Sequence, residues 1–288
     1  MKLSIRFFSI ILLFSCSMAS AQKLNNKWTP LLTADLKYWD KFIGVPHTSL
    51  ALEGYPKGDG MNGTPLGLNN DPLKVFTVEM VDGQPVLHIS GQMYGGLSTK
   101  AEFENYHLKL EFKWGENKYQ PRLKDKRDNG IIYHATGPHG VFWNVWMRGH
   151  EFQVQEGDMG DYYSLSGVGM DIHAGLKPGT TRPEWIYDPA GPLVQFTSDR
   201  TPASTCTHLG NYEKPNGEWN SLELYCYGDK SIHVVNGHVV MVLQNSRLSP
   251  HEGAETGFIK GKIQLQSEGA EAYYRNISIK KLDKLPAL

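Results

Sequence analysis

Residues 127–161 read RDNGIIYHATGPHGVFWNVWMRGHEFQVQEGDMGD. The segment EFQVQ within this stretch decides the fold class. Side chains alternate across a β-strand, so Phe152 and Val154 share one face while Glu151, Gln153 and Gln155 share the other. The apolar pair belongs in a core. The polar three then stand in a row, about 7 Å between neighbours. Such a row is either a solvated outer face or the floor of a polar groove. The tryptophans just upstream, Trp143 and Trp146, favour the groove.

The same alternation recurs on both sides of this stretch. Residues 75–90 form a hairpin pattern, VFTVEMV and QPVLHIS around Asp82-Gly83, a pair suited to a tight primed turn. Leu108, Leu110, Phe112 and Trp114 alternate with Lys109, Glu111 and Lys113. Residues 218–244 repeat the theme around Asn236-Gly237, and Trp114 and Trp219 are both expected in the core. Residues 97–100 and 263–266 are further strands. In residues 273–281, Tyr273, Arg275, Ile277 and Ile279 are expected on one face, against Tyr274, Asn276, Ser278 and Lys280 on the other. Residues 45–72 are turn chemistry throughout and read as one long surface loop with a position to line a site. No helix longer than a turn or two is visible. Short strands joined by Gly, Asn and Asp turns predict an all-β, two-sheet antiparallel jelly-roll sandwich.

Residues 1–21 read as a secretory signal: Lys2 and Arg6, an apolar run, then Ala19-Ser20-Ala21 before Gln22. A rival reading makes Cys16 a lipidation site, with the protein an outer-membrane lipoprotein. The expected location is periplasmic or secreted, with no transmembrane segment. Nothing marks a linker, so residues 22–288 are expected to be a single jelly-roll domain. A formal net charge of −1 without basic clusters excludes nucleic acid as a partner class. Beyond Cys16, Cys206 and Cys226 remain, and an oxidising compartment suggests a disulfide between them, worth roughly 3 kcal/mol; the alternative is two buried thiols.

An ordered set of motifs carries a family resemblance. It begins with Trp28, Leu31-Leu32, Asp35-Leu36 and Trp39, then Gly95-Gly96-Leu97 and Tyr106 to Trp114. It continues through Asn129-Gly130-Ile131-Ile132-Tyr133-His134, Glu151 to Asp158, Gly217-Glu218-Trp219-Asn220 and His233-Val234-Val235-Asn236-Gly237. Together these resemble the 3-keto-disaccharide hydrolase domain family. The resemblance implies a concanavalin A-like lectin/glucanase sandwich whose concave sheet faces carbohydrate. It also implies cleavage of glycosides oxidised at C3 by a partner oxidoreductase.

A C3 ketone acidifies the proton on C2, so a base can remove it and the C1 substituent can leave by elimination; water then adds back. That chemistry needs a base, an acid for the leaving oxygen, and a donor or metal for the enolate oxygen. Glu151 and His134 are the first candidates for base and acid, with Glu156 next if a bulge turns it. The expected substrate contacts are Gln153, Lys100, Trp143, Trp146, Asn129 and Tyr133. The alternative chemistry is direct hydrolysis by two carboxylates. Each residue also has a plain reading: Glu151 as a solubilising charge, His134 as a satisfied interior histidine, the tryptophans as loop packing. The Asp158…Asp161 step is either a solvated turn or a site for a divalent metal such as calcium. Two other classes are open to this sequence: a non-catalytic carbohydrate-binding protein of the cell envelope, and a structural or adhesion protein of the envelope.

Overall fold

The computed structural model describes residues 24–198, 203–248 and 257–287. The leader at 1–21, with Cys16, lies outside the described residues. Two antiparallel sheets face each other, and the described residues contain no helix. The larger sheet runs, in spatial order, through Trp185–Tyr187 (β13), Val168–Leu176 (β12), His238–Leu248 (β18), Lys230–Val235 (β17), Asn220–Tyr227 (β16), Tyr106–Lys118 (β8), Ala270–Lys281 (β20), Gln84–Ile89 (β5) and Phe76–Val81 (β4). Thr29–Pro30 (β1) joins β20, and Leu193–Thr197 (β14) joins β12. The smaller sheet runs through Thr205–Cys206 (β15), Tyr162–Leu165 (β11), Arg148–Gln153 (β10), Gly130–Thr136 (β9), Lys260–Ser267 (β19), Gly95–Thr99 (β6), Trp39–Ile43 (β2) and Gly67–Leu68 (β3), with Phe103–Glu104 (β7) beside β19. This is the expected two-sheet jelly-roll sandwich.

The turns are those the sequence specifies. Asp82 (φ 51°) with Gly83 (φ 74°), and Asn236 (φ 50°) with Gly237 (φ 81°), put both turn residues in the left-handed region, as a type I′ hairpin requires. The inward rows pack the core: Leu108, Leu110, Phe112 and Trp114 from β8 meet Ile131, Phe152, Val154 and Leu265 from the smaller sheet. Each such fully buried side chain contributes about 1.5–3 kcal/mol of transfer free energy.

Three expectations are corrected by the structure. On β20 the pairing with β8 shifts between Arg275 and Ser278, and Asn276 (φ 54°) marks the bulge. Tyr274, Ile277 and Ile279 therefore share the core, instead of Ile277 and Ile279 lying with Tyr273 and Arg275. Trp219 lies outside the core: its ring carries the Arg275 guanidinium at 4.1 Å and the Lys113 ammonium at 5.1 Å. Cys206 and Cys226 are buried free thiols. Cys206 pairs with Tyr162 in one sheet and Cys226 with Tyr106 in the other, so each is fixed by a different ladder. Burial pushes both thiols up, Cys226 to about 12.

Candidate active site

The outer face of the smaller sheet carries a second, smaller apolar cluster of Tyr94, Ile132, Ala135, Val145, Trp146, Met147 and Leu165. Beside it opens a cleft of about 370 Å³. Its floor is the polar row of β10 and its continuation, Glu151, Gln153 and Gln155, together with Gln266 at the end of β19 and Glu268 just beyond. Gln266 and Glu268 belong to the segment IQLQSEG, residues 263–269, which has the same apolar–polar alternation as EFQVQEG. The two strands are thus built alike: Ile263 and Leu265 enter the core while Gln266 faces the cleft.

Gly130 of β9 lies opposite Gln153, and its lack of a side chain makes room for the carboxyl of Glu151. A Cβ on Gly130 would sit 2.1 Å from Glu151 Oε1 and 2.6 Å from Gln266 Oε1. Asn129 is fully buried, and its amide donates to the Gln266 main-chain oxygen at 2.6 Å while its own oxygen accepts from Gly130 N–H and the Tyr274 hydroxyl. Asn129 therefore positions the floor from beneath and does not line the cleft.

Three carboxyl groups converge here. Asp128 and Glu268 pair as the last bridge of the β9–β19 ladder and share one cation. Arg122 donates from Nη2 to Asp128 at 2.6 Å and from Nη1 to Glu268 at 2.7 Å. Gln155 donates its amide to the same Asp128 oxygen. No ion pair of Glu151 is found among the described residues. Burial, reinforced by the charge of Asp128, holds the Glu151 carboxyl well above the usual carboxylate range, against an amide hydrogen bond from Gln266. Burial likewise raises Glu268 well above that range. Asp128 rises only to about 6, because Arg122 offsets its burial. One guanidinium cannot neutralise three buried carboxylates, so protons fill the difference.

The other walls are aromatic and hydroxylic: Phe142, Trp143, Trp146, Tyr163 and Leu165, with Ser164, Ser198, Ser204 and Thr205 on the side of β11 and β15. Among the described residues no group of three or more His, Cys, Asp or Glu side chains is arranged to hold a metal ion. Asp158 pairs with Lys126 at 2.6 Å, and Asp161 accepts from the backbone and ring of His208.

The model of the 3-keto-alpha-glucoside-1,2-lyase-like domain family matches residues 27–280. The chain belongs to this family. No curated protein matches it. Solved structures of similar shape include a candidate glycosyl hydrolase from Parabacteroides distasonis, 18% identical, covering 89% of this chain and 100% of that one with a TM-score of 0.46. A carbohydrate-binding module from Bacillus subtilis is 9% identical, covers 72% and 92%, and has a TM-score of 0.41. A β-glucanase from Bacillus licheniformis is 13% identical, covers 90% and 99%, and has a TM-score of 0.40.

In this member of the lyase-like family, Glu151, Gln153, Trp143 and Trp146 share the cleft, and the other expected site residues do not. His134 lies between the sheets. Gln264 pairs with Ile132 and Lys262 with Ala135, so Tyr133 and His134 together oppose Ile263 alone. His134 takes the left-handed conformation this bulge demands, φ 51°. Both Tyr133 and His134 consequently turn inward: Tyr133 meets Ser231 and His233, and His134 meets the Phe258 main-chain oxygen at 3.0 Å. Glu156 lies at the surface with Arg127 and Asn216. Lys100 borders a separate hollow of about 320 Å³ with Lys37 and Tyr38. The loop at 45–72 meets the cleft's surroundings at Met61, whose main-chain oxygen accepts from the Asn144 amide at 2.9 Å. The residues that sequence reading missed are Arg122, Asp128, Gln266 and Glu268. For Gln266 and Glu268 the alternation in IQLQSEG was an available signal; for Arg122, in a loop, there was none.

Proposed function

We propose that the protein cleaves glycosides bearing a ketone at C3 of the sugar, by elimination across C2 and C1. The observation that carries this reading is the unequal set of carboxyls in one cleft. Asp128, near 6 and held by Arg122 and Gln155, is the base. Glu151, kept protonated by burial and by Asp128, is the acid. Two titratable groups pushed apart in pKa within one site are the ordinary means of doing base and acid chemistry at one pH.

In the proposed step Asp128 takes the C2 proton. The electron pair of that bond forms the C1–C2 double bond, the C1–O bond breaks, and the departing oxygen receives the proton of Glu151. The sugar leaves as an unsaturated ketone, or as the free keto sugar once water has added at C1. Gln153 spends its carbonyl oxygen on the Val154 N–H, which leaves its amide NH₂ to donate to the ketone or enolate oxygen. An exported protein, as the leader suggests, would receive its substrate from a sugar-oxidising enzyme in the same compartment.

The test is to incubate the protein with methyl 3-keto-glucoside and with unoxidised methyl glucoside, with and without chelator, following the enone by its ultraviolet absorbance and the released sugar by chromatography. Turnover of the keto sugar, lost in Glu151→Gln and Asp128→Asn, supports the proposal. Turnover of the parent alone would overturn it, and turnover of neither would leave a binding protein.

A further inference from the structure

We infer that the aromatic end of the cleft, headed by Trp143, receives the group leaving C1, and that this group is a flat aryl ring. The inference rests on the elimination reading above and adds the class of aglycone.

The shelf is a preformed turn. Phe142 and Trp146 pair as an antiparallel bridge, with backbone hydrogen bonds of 3.0 and 2.9 Å in the two directions. Between them Trp143 (φ 52°) and Asn144 (φ 56°) both occupy the left-handed region. A bulky residue there is strained, so the surrounding contacts must impose it. They are visible: the Trp143 ring stacks on Phe142 at 5.0 Å and 17° and lies 5.6 Å from Trp146. Trp146 is itself pinned by an indole hydrogen bond to the Gly95 oxygen at 3.0 Å. The strained, braced turn leaves Trp143 45% exposed at the cleft wall, although burying an indole is worth more than burying almost any other side chain. That is the geometry of a platform awaiting a flat partner.

Chemistry orients the substrate. Glu151 pairs across the ladder with Ile132, and Ile132 packs in the same cluster as Trp146. The proposed acid thus stands between the Asp128–Arg122–Glu268 end and the shelf. A sugar whose C2 faces Asp128 directs its C1 substituent, protonated by Glu151, onto Trp143. Phe142, Trp143 and Trp146 present ring faces at this end, and the Trp146 indole N–H is already spent on Gly95. A pyranose over these ring faces must carry its hydroxyls to the Ser164, Ser204 and Thr205 side to pair them, whereas an aryl ring has none to satisfy.

The experiment compares 4-nitrophenyl 3-keto-glucoside, methyl 3-keto-glucoside and a 3-keto disaccharide on wild type, Trp143→Ala and Trp143→Phe. The wild type should favour the aryl over the methyl substrate about tenfold in kcat/KM, a ratio that includes the better leaving group and is therefore read against the variants. Trp143→Ala should lower that ratio several-fold and Trp143→Phe should keep most of it; using the ratio cancels any general loss of folded protein. An unchanged ratio in Trp143→Ala, or a preference for the disaccharide, overturns the inference. Calorimetry with unoxidised 4-nitrophenyl glucoside and methyl glucoside reads the shelf without turnover. Tighter aryl binding that disappears in Trp143→Ala supports the shelf even if no keto sugar is cleaved, and equal affinities in the wild type count against it.

Discussion

Asp128 and Glu268 are bridged partners at the end of the β9–β19 ladder, and each accepts one prong of the Arg122 guanidinium, at 2.6 and 2.7 Å. Two buried carboxyls thereby share one positive charge, and Glu151 beside them has none.

Removing that charge should move the chemistry. Arg122→Met is expected to raise the Asp128 carboxyl further, shifting the acid limb of the pH–rate profile up by about one unit or more. It should cost about 2–4 kcal/mol of stability at pH 8 and less at pH 5, where protonated carboxyls no longer need the cation. A pH–rate profile and denaturant unfolding at both pH values check this.

Glu151 has a folded-state pKa well above its unfolded one. A group raised in this way stabilises fully below its unfolded pKa and loses that contribution as pH rises toward the folded value. Glu151→Gln mimics the protonated form, so its thermal midpoint should hold while the wild type's falls as pH rises above about 4.5. Turnover of the keto glycoside should drop by about 10² or more in the same variant. A midpoint difference that does not grow with pH would contradict the assignment.

Gly130→Ala places a methyl group where the Glu151 and Gln266 side-chain oxygens now lie. The backbone conformation at Gly130 is not left-handed, so the penalty is steric. We expect about 1–3 kcal/mol of destabilisation and roughly a 10²-fold loss of kcat from the displaced carboxyl. Thermal melts and steady-state kinetics separate the two effects.

The interior histidines predict acid lability. Burial holds His134 and His233 at about 4 and His150 well below its ordinary value. Their folded pKa values are depressed, so the neutral rings contribute stability above about 6.5 that is lost as pH falls toward 4. A drop from 6.5 to about 4 corresponds to about 3 kcal/mol for each of the two. Urea midpoints measured from pH 7.5 to 4.5 should fall steeply, and His233→Gln should flatten the curve.

With two free buried thiols, dithiothreitol should leave the thermal midpoint unchanged. Alkylation after denaturation without reductant should label both Cys206 and Cys226. Labelling only after reduction would show a disulfide.

Alternation and turn chemistry by themselves determined the sandwich. EFQVQ assigns Phe152 and Val154 to the core and Glu151 and Gln153 to the opposite face, and Asp82-Gly83 and Asn236-Gly237 close their hairpins where the sequence places them. These are local consequences of a two-residue repeat and of left-handed turn positions, so no distant partner is needed to read them. Only the tertiary structure decided the rest. His134 left the outer face because its strand carries one more residue than the paired segment of β19, a mismatch that exists only between strands. Cys206 and Cys226 ended in different sheets because their registers are set by Tyr162 and Tyr106. Arg122, far in sequence from Glu268, became the shared cation of the cleft. Charge acts through space, and which carboxyls meet one guanidinium is settled by how the sheets bring their ends together.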